Sequence, residues 1–376
     1  MNTKAAVLTA MGQPAPYLQS QPLAIEQVML DGPGSGEVLV EIVAAGLCHS
    51  DLSVINGSRP RPMPMIIGHE ASGIVREVGS GVAELKPDDH VVFSFVPMCG
   101  HCLPCAEGRP ALCEPGAKAN VSGTLLSGSQ HFHREDGSVI NHHLGVSSYA
   151  QFTVAAQESL IRIENDLPLE IAALFGCAVM TGVGAVVNTA RVAPGQSVAI
   201  FGLGGVGMSA VMGAKAAGAW PIIAVDLLDS KLELARHFGA SHLVNAGQVD
   251  PVQAVRDLTR GGAQFAFESV GNEKVLAQAF GATRRGGTTV SIGLPHPSRS
   301  VTLHAVTLVA EERTLKGSYM GSAVPRRDIP RFIAMYQAGL LPVDQLLSRT
   351  IALEEINPAF DALDRGEVLR QVIIYS

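Results

Sequence analysis

Four of the six cysteines in this 376-residue chain fall within fifteen residues: Cys99, Cys102, Cys105 and Cys113, spaced C-x2-C-x2-C-x7-C. A disulfide framework fits this spacing badly, because bridging C-x-x-C neighbours strains the chain and the N-terminal sequence has no export signal. A closed tetrahedral site of four thiolates fits it well, since a loop folded around zinc aims all four sulfurs inward at about 2.3 Å. An iron–sulfur cluster and a chance grouping of buried thiols are the competing readings. With no coordination position left open, zinc there is structural, and it clamps a Gly- and Pro-rich lobe with little core of its own.

The other two cysteines stand far apart. Cys48 lies in GLCHSD (46–51), and GHEASGIVREVGSGV (68–82) follows with His69 and Glu70, while Cys177 comes about a hundred residues later. A catalytic zinc takes three protein ligands and keeps one open position, a set that Cys48, His69 and Cys177 would supply. By residue type alone, His69 is equally an ordinary hydrogen-bonded core histidine, and lone cysteines are commonly inert and buried.

The second half adds a nucleotide signature. QSVAIFGLGGVG (196–207) runs from an apolar strand into Gly202, Gly204 and Gly207 in the pattern G-x-G-x-x-G, with Gly205 and Val206 opening a helix-like stretch, and PIIAVD (221–226) reads as a second strand ending in Asp226. The glycines allow a tight turn and close approach of backbone to a pyrophosphate at the positive helix N-terminus; the acidic residue about 20 positions on accepts from the ribose 2′-hydroxyl. Asp226 would repel a 2′-phosphate, so the dinucleotide expected is NAD. The competing reading is a tight βα turn without ligand. Helix and strand signals then alternate: helices over 229–239, 250–260 and 272–283, strands over 241–246, 263–269 and 287–293. That rhythm is α/β, a doubly wound parallel sheet. The first half is instead rich in short strand-like runs such as 37–46, 73–79 and 90–96.

Composition removes other classes. The chain is 47% apolar and 16% charged with a formal net charge of −7, so it is globular, and neither nucleic acid nor an anionic membrane surface is an expected partner. Residues 171–190 and 198–220 have the length of membrane spans, but they contain three and six glycines, and the second reads as strand, turn and helix. A buried interior and a cytoplasmic location are expected.

In these motifs, and in their order along almost the whole chain, the sequence resembles the zinc-dependent alcohol dehydrogenases of the medium-chain dehydrogenase/reductase family. GHEASGIVREVGSGV matches the family's zinc signature, the four-cysteine lobe its structural zinc site, and GLGGVG with Asp226 its coenzyme motif. The resemblance implies a GroES-like β-rich catalytic domain from residues 1–178 and 320–376, with a Rossmann NAD-binding domain over 179–319. It implies catalytic zinc on Cys48, His69 and Cys177, two zinc ions per chain, and a homo-oligomer, a dimer favoured over a tetramer. Ser50 matches the hydroxyl that hydrogen-bonds the substrate oxygen, Asp51 the carboxylate that orients His69, and Glu70 a carboxylate that approaches the metal during ligand exchange. Thr181 matches a position beside the nicotinamide, Lys231 one near the adenosine ribose, and His49 and Arg370 positions near the pyrophosphate; Ile292 joins the coenzyme contacts. The reaction implied is reversible hydride transfer between an alcohol and NAD.

Two departures bear on the substrate. Many relatives complete a proton relay with a histidine where this chain has Ser53. Relatives that oxidise the glutathione adduct of formaldehyde carry an acidic residue and an arginine where this chain has Arg59 and Ala117. By the same resemblance the pocket is lined by Arg59, Phe95, His143, Leu144, Leu294 and Tyr319, bulky and partly aromatic, which suggests a primary alcohol of aryl or allylic type. The alternatives are a thiol-adduct formaldehyde dehydrogenase and a non-catalytic NAD-binding protein on the same fold.

Overall fold

The computed structural model describes residues 1–375, which form two compact units. The first comprises Met1–Cys177, Val324–Ile333 and the segment from Asp344 to the C-terminus; the second comprises Ala178–Ala323 and Ala334–Val343. This differs from the expected division at 178, 320–323 and 334–343. One of the four crossings between units falls within the helix Pro325–Gln337, so no linker marks it in the sequence.

The first unit is β-rich. Strands Asn2–Leu8, Leu23–Leu30, Phe132–His133, Val139–His142 and Met65–Ile66 close into a barrel around Val7, Val28, Leu30, Ile66, Phe132 and Ile140. A second sheet orders strands Leu160–Ile163, His90–Phe93, Glu70–Val78, Glu37–Gly46, Arg370–Ile374 and Leu347–Ile351, with Phe152–Ala156 also pairing to Glu37–Gly46. Its central strand EVLVEIVAAG is buried along most of its length, which is why it reads as a nearly continuous apolar run rather than an alternation.

Register in this sheet places the chemistry. Gly46 pairs with Glu70 on one side and with Val372 on the other, and Leu47 N–H donates to Gln371 O at 2.9 Å. Cys48, His69 and Arg370 therefore leave three adjacent strands at one end of the sheet. Cys177 arrives from the 3-10 helix Ala173–Gly176; a side chain at Gly176 would strike the Phe93 carbonyl, so only glycine brings this segment against the strand.

The second unit is a six-stranded parallel sheet in the spatial order His242–Asn245, Ile222–Asp226, Val198–Phe201, Ala263–Glu268, Thr283–Ser291, Thr314–Gly317. By sequence number this is 3-2-1-4-5-6, the doubly wound order whose direction reverses beside the first strand, where such sheets bind ligands. Helices Gly205–Ala216, Asp229–Phe238, Pro251–Thr259 and Glu273–Ala282 follow their strands as expected. The fifth strand starts at Thr283 rather than 287, and the sixth, Thr314–Gly317, had no signal: its four exposed residues show neither alternation nor an apolar run. The apolar stretch 171–190 breaks into short helical segments, and among the described residues no single helix is long and apolar enough to cross a membrane.

Candidate functional site

Cys48, His69, Glu70 and Cys177 are all buried, and one ligand atom from each lies within 4.8 Å of the others. Cys48 is the residue preceding helix His49–Ile55, with extended backbone and no capping hydrogen bond from its side chain. His69 Nδ1 lies 2.8 Å from Asp51 Oδ1, which assigns Nε2 to the cysteine side. Burial opposes a charged His69, but the Asp51 carboxylate and the Cys48 thiolate outweigh it and push the ring well above its ordinary value. Hydrogen bonding from Cys177, helped by the charges of Arg370 and His69, holds Cys48 well below the usual thiol range, while the hydrogen bond to Cys48 and burial push Cys177 well above it.

Glu70 is pushed up to about 8 by burial, against the opposing charge of Arg370, whose Nη2 stands 3.3 Å from Oε1. Beyond that ion pair, the Glu70 oxygens are buried without a well-formed hydrogen bond. Two thiols, an imidazole nitrogen and a carboxylate with unspent acceptor capacity, out of water and within one small sphere, make a donor set suited to zinc. Arg370, expected near a pyrophosphate, is buried and directs Nη2 to Glu70 and to the Cys48 sulfur at 3.9 Å.

Around this cluster, Phe95 stands edge-on to His69 with ring centroids 5.3 Å apart, and His143 does the same at 5.9 Å. His143 is pushed well below its ordinary value by burial and then by the charges of His69 and Arg61, and so is neutral. Leu144 is buried next to it. Ser50 and Arg59 are half-buried and His49 exposed on the first unit; Ser53 donates its hydroxyl to the His49 carbonyl at 2.8 Å. Ala117 is exposed on helix Glu114–Ser122.

The second cluster, Cys99, Cys102, Cys105 and Cys113, also has its ligand atoms within 4.8 Å of one another, and all four are free thiols. Backbone N–H groups point at the sulfurs: Cys102 N–H to Cys99 Sγ, and Cys99 and Gly116 N–H to Cys113 Sγ, each at 3.4 Å. Donors converging on sulfur stabilise thiolate over thiol, the form a metal requires.

In the second unit, Gly202 adopts φ +90°, a left-handed conformation that favours glycine, where the first strand turns into the helix. Gly207 packs so closely under that turn that a side chain would strike the Gly202 carbonyl, whereas a Cβ on Gly204 would meet nothing within 4 Å. The open side at Gly204 and the helix N-terminus at Gly205 and Val206 leave a cradle of the kind a pyrophosphate fills. Asp226 Oδ2 accepts from Leu203 N–H at 2.7 Å, and Oδ1 from Leu227 and Leu228 N–H, so the acidic residue also ties down the glycine turn. Lys231 sits half-buried in the first turn of the following helix, and Ile292 is buried just beyond the fifth strand, its N–H on the Glu268 carbonyl at 2.7 Å. Thr181 is buried in helix Ala178–Gly184, Tyr319 is half-buried, and Leu294 is 49% exposed.

Two residues near the first cluster carried no sequence signal. Tyr149 donates its hydroxyl to Asp51 Oδ2 at 3.0 Å across 98 positions, and Arg61 acts on His143 through its charge. A lone tyrosine that far away has no spacing to betray it.

Two family models match the chain. Residues 34–165 match the alcohol dehydrogenase GroES-like domain, and residues 205–338 match the zinc-binding dehydrogenase domain. A protein of Paracoccus denitrificans named S-(hydroxymethyl)glutathione dehydrogenase is 36% identical over the whole of both chains, and the NDMA-dependent alcohol dehydrogenase of Amycolatopsis methanolica is 40% identical over the whole of both. Benzyl alcohol dehydrogenase from Acinetobacter calcoaceticus superposes with a TM-score of 0.93 at 34% identity, covering all of each chain. With both domains matched and relatives spanning its full length, the chain belongs to the zinc-dependent alcohol dehydrogenases of the medium-chain dehydrogenase/reductase family, oxidoreductases that act on CH–OH groups with a nicotinamide dinucleotide.

Proposed function

We propose that this protein oxidises a primary alcohol of aryl or allylic type to its aldehyde, reversibly and with NAD, and carries two zinc ions per chain. The observation that carries the reading is the convergence of Cys48, His69 and Cys177 in a buried cluster with the Phe95 ring edge-on to His69 at 5.3 Å. Those three residues would hold the catalytic zinc, with Glu70 beside them, and Cys99, Cys102, Cys105 and Cys113 the structural one. When bound, the zinc supplies a Lewis acid for the alcohol oxygen and the dinucleotide the hydride acceptor.

The residues supply the rest. With zinc in place of the second ring proton, Asp51 would hold His69 with Nδ1–H and leave the Nε2 lone pair for the metal. The Ser50 Oγ would accept the alcohol proton as its own hydroxyl proton passes on, and without a relay histidine at Ser53 that second proton goes to water. Phe95 and Leu144 offer apolar surface suited to an unsaturated substituent, and neutral His143 adds none of the cationic character that would select an acid. Asp226 favours NAD, because its negative charge repels a 2′-phosphate. A second copy of the chain is the partner this reading implies: the exposed edge strand Thr314–Gly317 and exposed Val306 and Val309 on helix Ala305–Ala310 are surfaces suited to self-association.

The name of one relative, S-(hydroxymethyl)glutathione dehydrogenase, favours a second reading, oxidation of a glutathione–formaldehyde adduct. Arg59 and Ala117 oppose it, since the acidic residue and the arginine expected for that adduct are absent. Formaldehyde-dependent NADH formation with and without glutathione decides between them. Benzyl and allyl alcohols turning over without glutathione support the first reading; a large glutathione requirement supports the second.

A further inference from the structure

We propose that Tyr149 is a positioning residue for the catalytic metal centre: its hydroxyl fixes the plane of the Asp51 carboxylate and thereby decides which imidazole that carboxylate serves. The inference rests on Cys48, His69 and Cys177 being zinc ligands.

The two oxygens of Asp51 are divided between partners. Oδ1 lies 2.8 Å from His69 Nδ1, and Oδ2 accepts from Tyr149 OH at 3.0 Å. A carboxylate rotates about its terminal torsion in a broad well, so one hydrogen bond leaves its plane free, and a second on the other oxygen removes that freedom. A competitor stands beside it. His143 Nδ1 is 3.4 Å from the same Oδ1, is buried, and has no hydrogen-bond partner. Without a donor on Oδ2, a small rotation brings Asp51 into a bond with His143 and weakens its hold on His69.

Tyr149 is itself rigidly placed. Its N–H donates to Ile67 O at 3.1 Å and its carbonyl accepts from Ala6 N–H at 2.8 Å, which ties it to the segment leading into His69 and to the first barrel strand. Its ring occupies the space above Gly68, where an added Cβ would come within 2.6 Å of a ring carbon. The ring, the Ser148 hydroxyl and a φ of +96° together require glycine immediately before His69, and the same tyrosine locks the carboxylate that orients it.

The test is Tyr149→Phe in the full-length enzyme, which keeps the ring over Gly68 and removes only the donor. Partners of metal-bound histidine are typically worth 10–100-fold in metal affinity. Zinc release to a chromophoric chelator should show a fast class from the catalytic site and a slow class from the four-cysteine site, with the fast class accelerated about tenfold or more in the variant and the slow class unchanged. The visible spectrum of the cobalt-substituted catalytic site should shift as well, which a purely structural role would not cause. In an Asp51→Ala background, where no oxygen is left to accept from Tyr149, adding Tyr149→Phe should change neither readout, and that pair is informative even if the single variant is poorly soluble. Two release classes in the parent protein with an unchanged fast class in Tyr149→Phe overturn the inference alone. A single class in the parent protein overturns the reading of the metal centre and the inference with it.

Discussion

His69 Nδ1 and Asp51 Oδ1 meet at 2.8 Å with both side chains buried. The pair is formed by residues 18 apart, one in the first turn of helix His49–Ile55 and one just before strand Glu70–Val78. Asp51 thus stands in a first turn, where a helix N-terminus favours an acidic residue, and spends one carboxylate oxygen on His69. Asp51→Asn should leave the fold intact and lower kcat/KM by about 10–100-fold, with weaker zinc retention. Steady-state kinetics and zinc content of the purified variant check it.

The glycine turn separates a ligand role from a packing role. Gly204→Val adds a side chain on the open side of the turn, so thermal stability should stay near the parent value while KM for NAD rises by about tenfold or more. Gly207→Ala drives its Cβ into the Gly202 carbonyl and should yield little folded protein. Tm and coenzyme titration of the two variants distinguish the roles.

Asp226 has two duties, the glycine turn and coenzyme choice. Asp226→Asn keeps an acceptor for Leu203 N–H and removes the negative charge. The ratio of kcat/KM for NADP to that for NAD should rise by about tenfold. A parent enzyme that already prefers NADP would show the argument to be wrong.

Acid sensitivity should have one identifiable source in the barrel. His142 is fully buried, accepts from His131 N–H through Nε2 at 3.3 Å, and is pushed down to about 3 by burial and then by the charge of His131. It stays neutral in the folded state while the unfolded chain binds a proton below about pH 6.5. The unfolded state therefore binds more protons, and stability is lost as pH falls from about 6.5 toward 3, each unit of depression being worth about 1.4 kcal/mol. His142→Asn should flatten that limb; urea unfolding across the range measures it, and an unchanged slope would contradict it.

Much of this was legible because the signals are local. The positive φ of Gly202 and the crowding at Gly207 are demands made within a six-residue stretch, and the cysteines of the four-thiol lobe stand within one loop, so spacing reports geometry directly. What stayed hidden is set by long-range pairing or by weak local chemistry. Tyr149 reaches Asp51 across 98 residues through strand register, and the edge strand Thr314–Gly317 is too short and exposed to leave a pattern. One passage between units runs inside helix Pro325–Gln337, where amphipathic spacing continues without a break.

The central claim is oxidation of a primary aryl or allylic alcohol by hydride transfer to NAD. Zinc-loaded enzyme should be given benzyl alcohol bearing two deuterium atoms at the carbinol carbon, and the reduced coenzyme analysed by mass spectrometry. The account predicts benzaldehyde retaining one deuterium and reduced NAD carrying the other, with no glutathione required. Reduced coenzyme without deuterium, or no coenzyme reduction by benzyl or allyl alcohol in fully zinc-loaded protein, would contradict it.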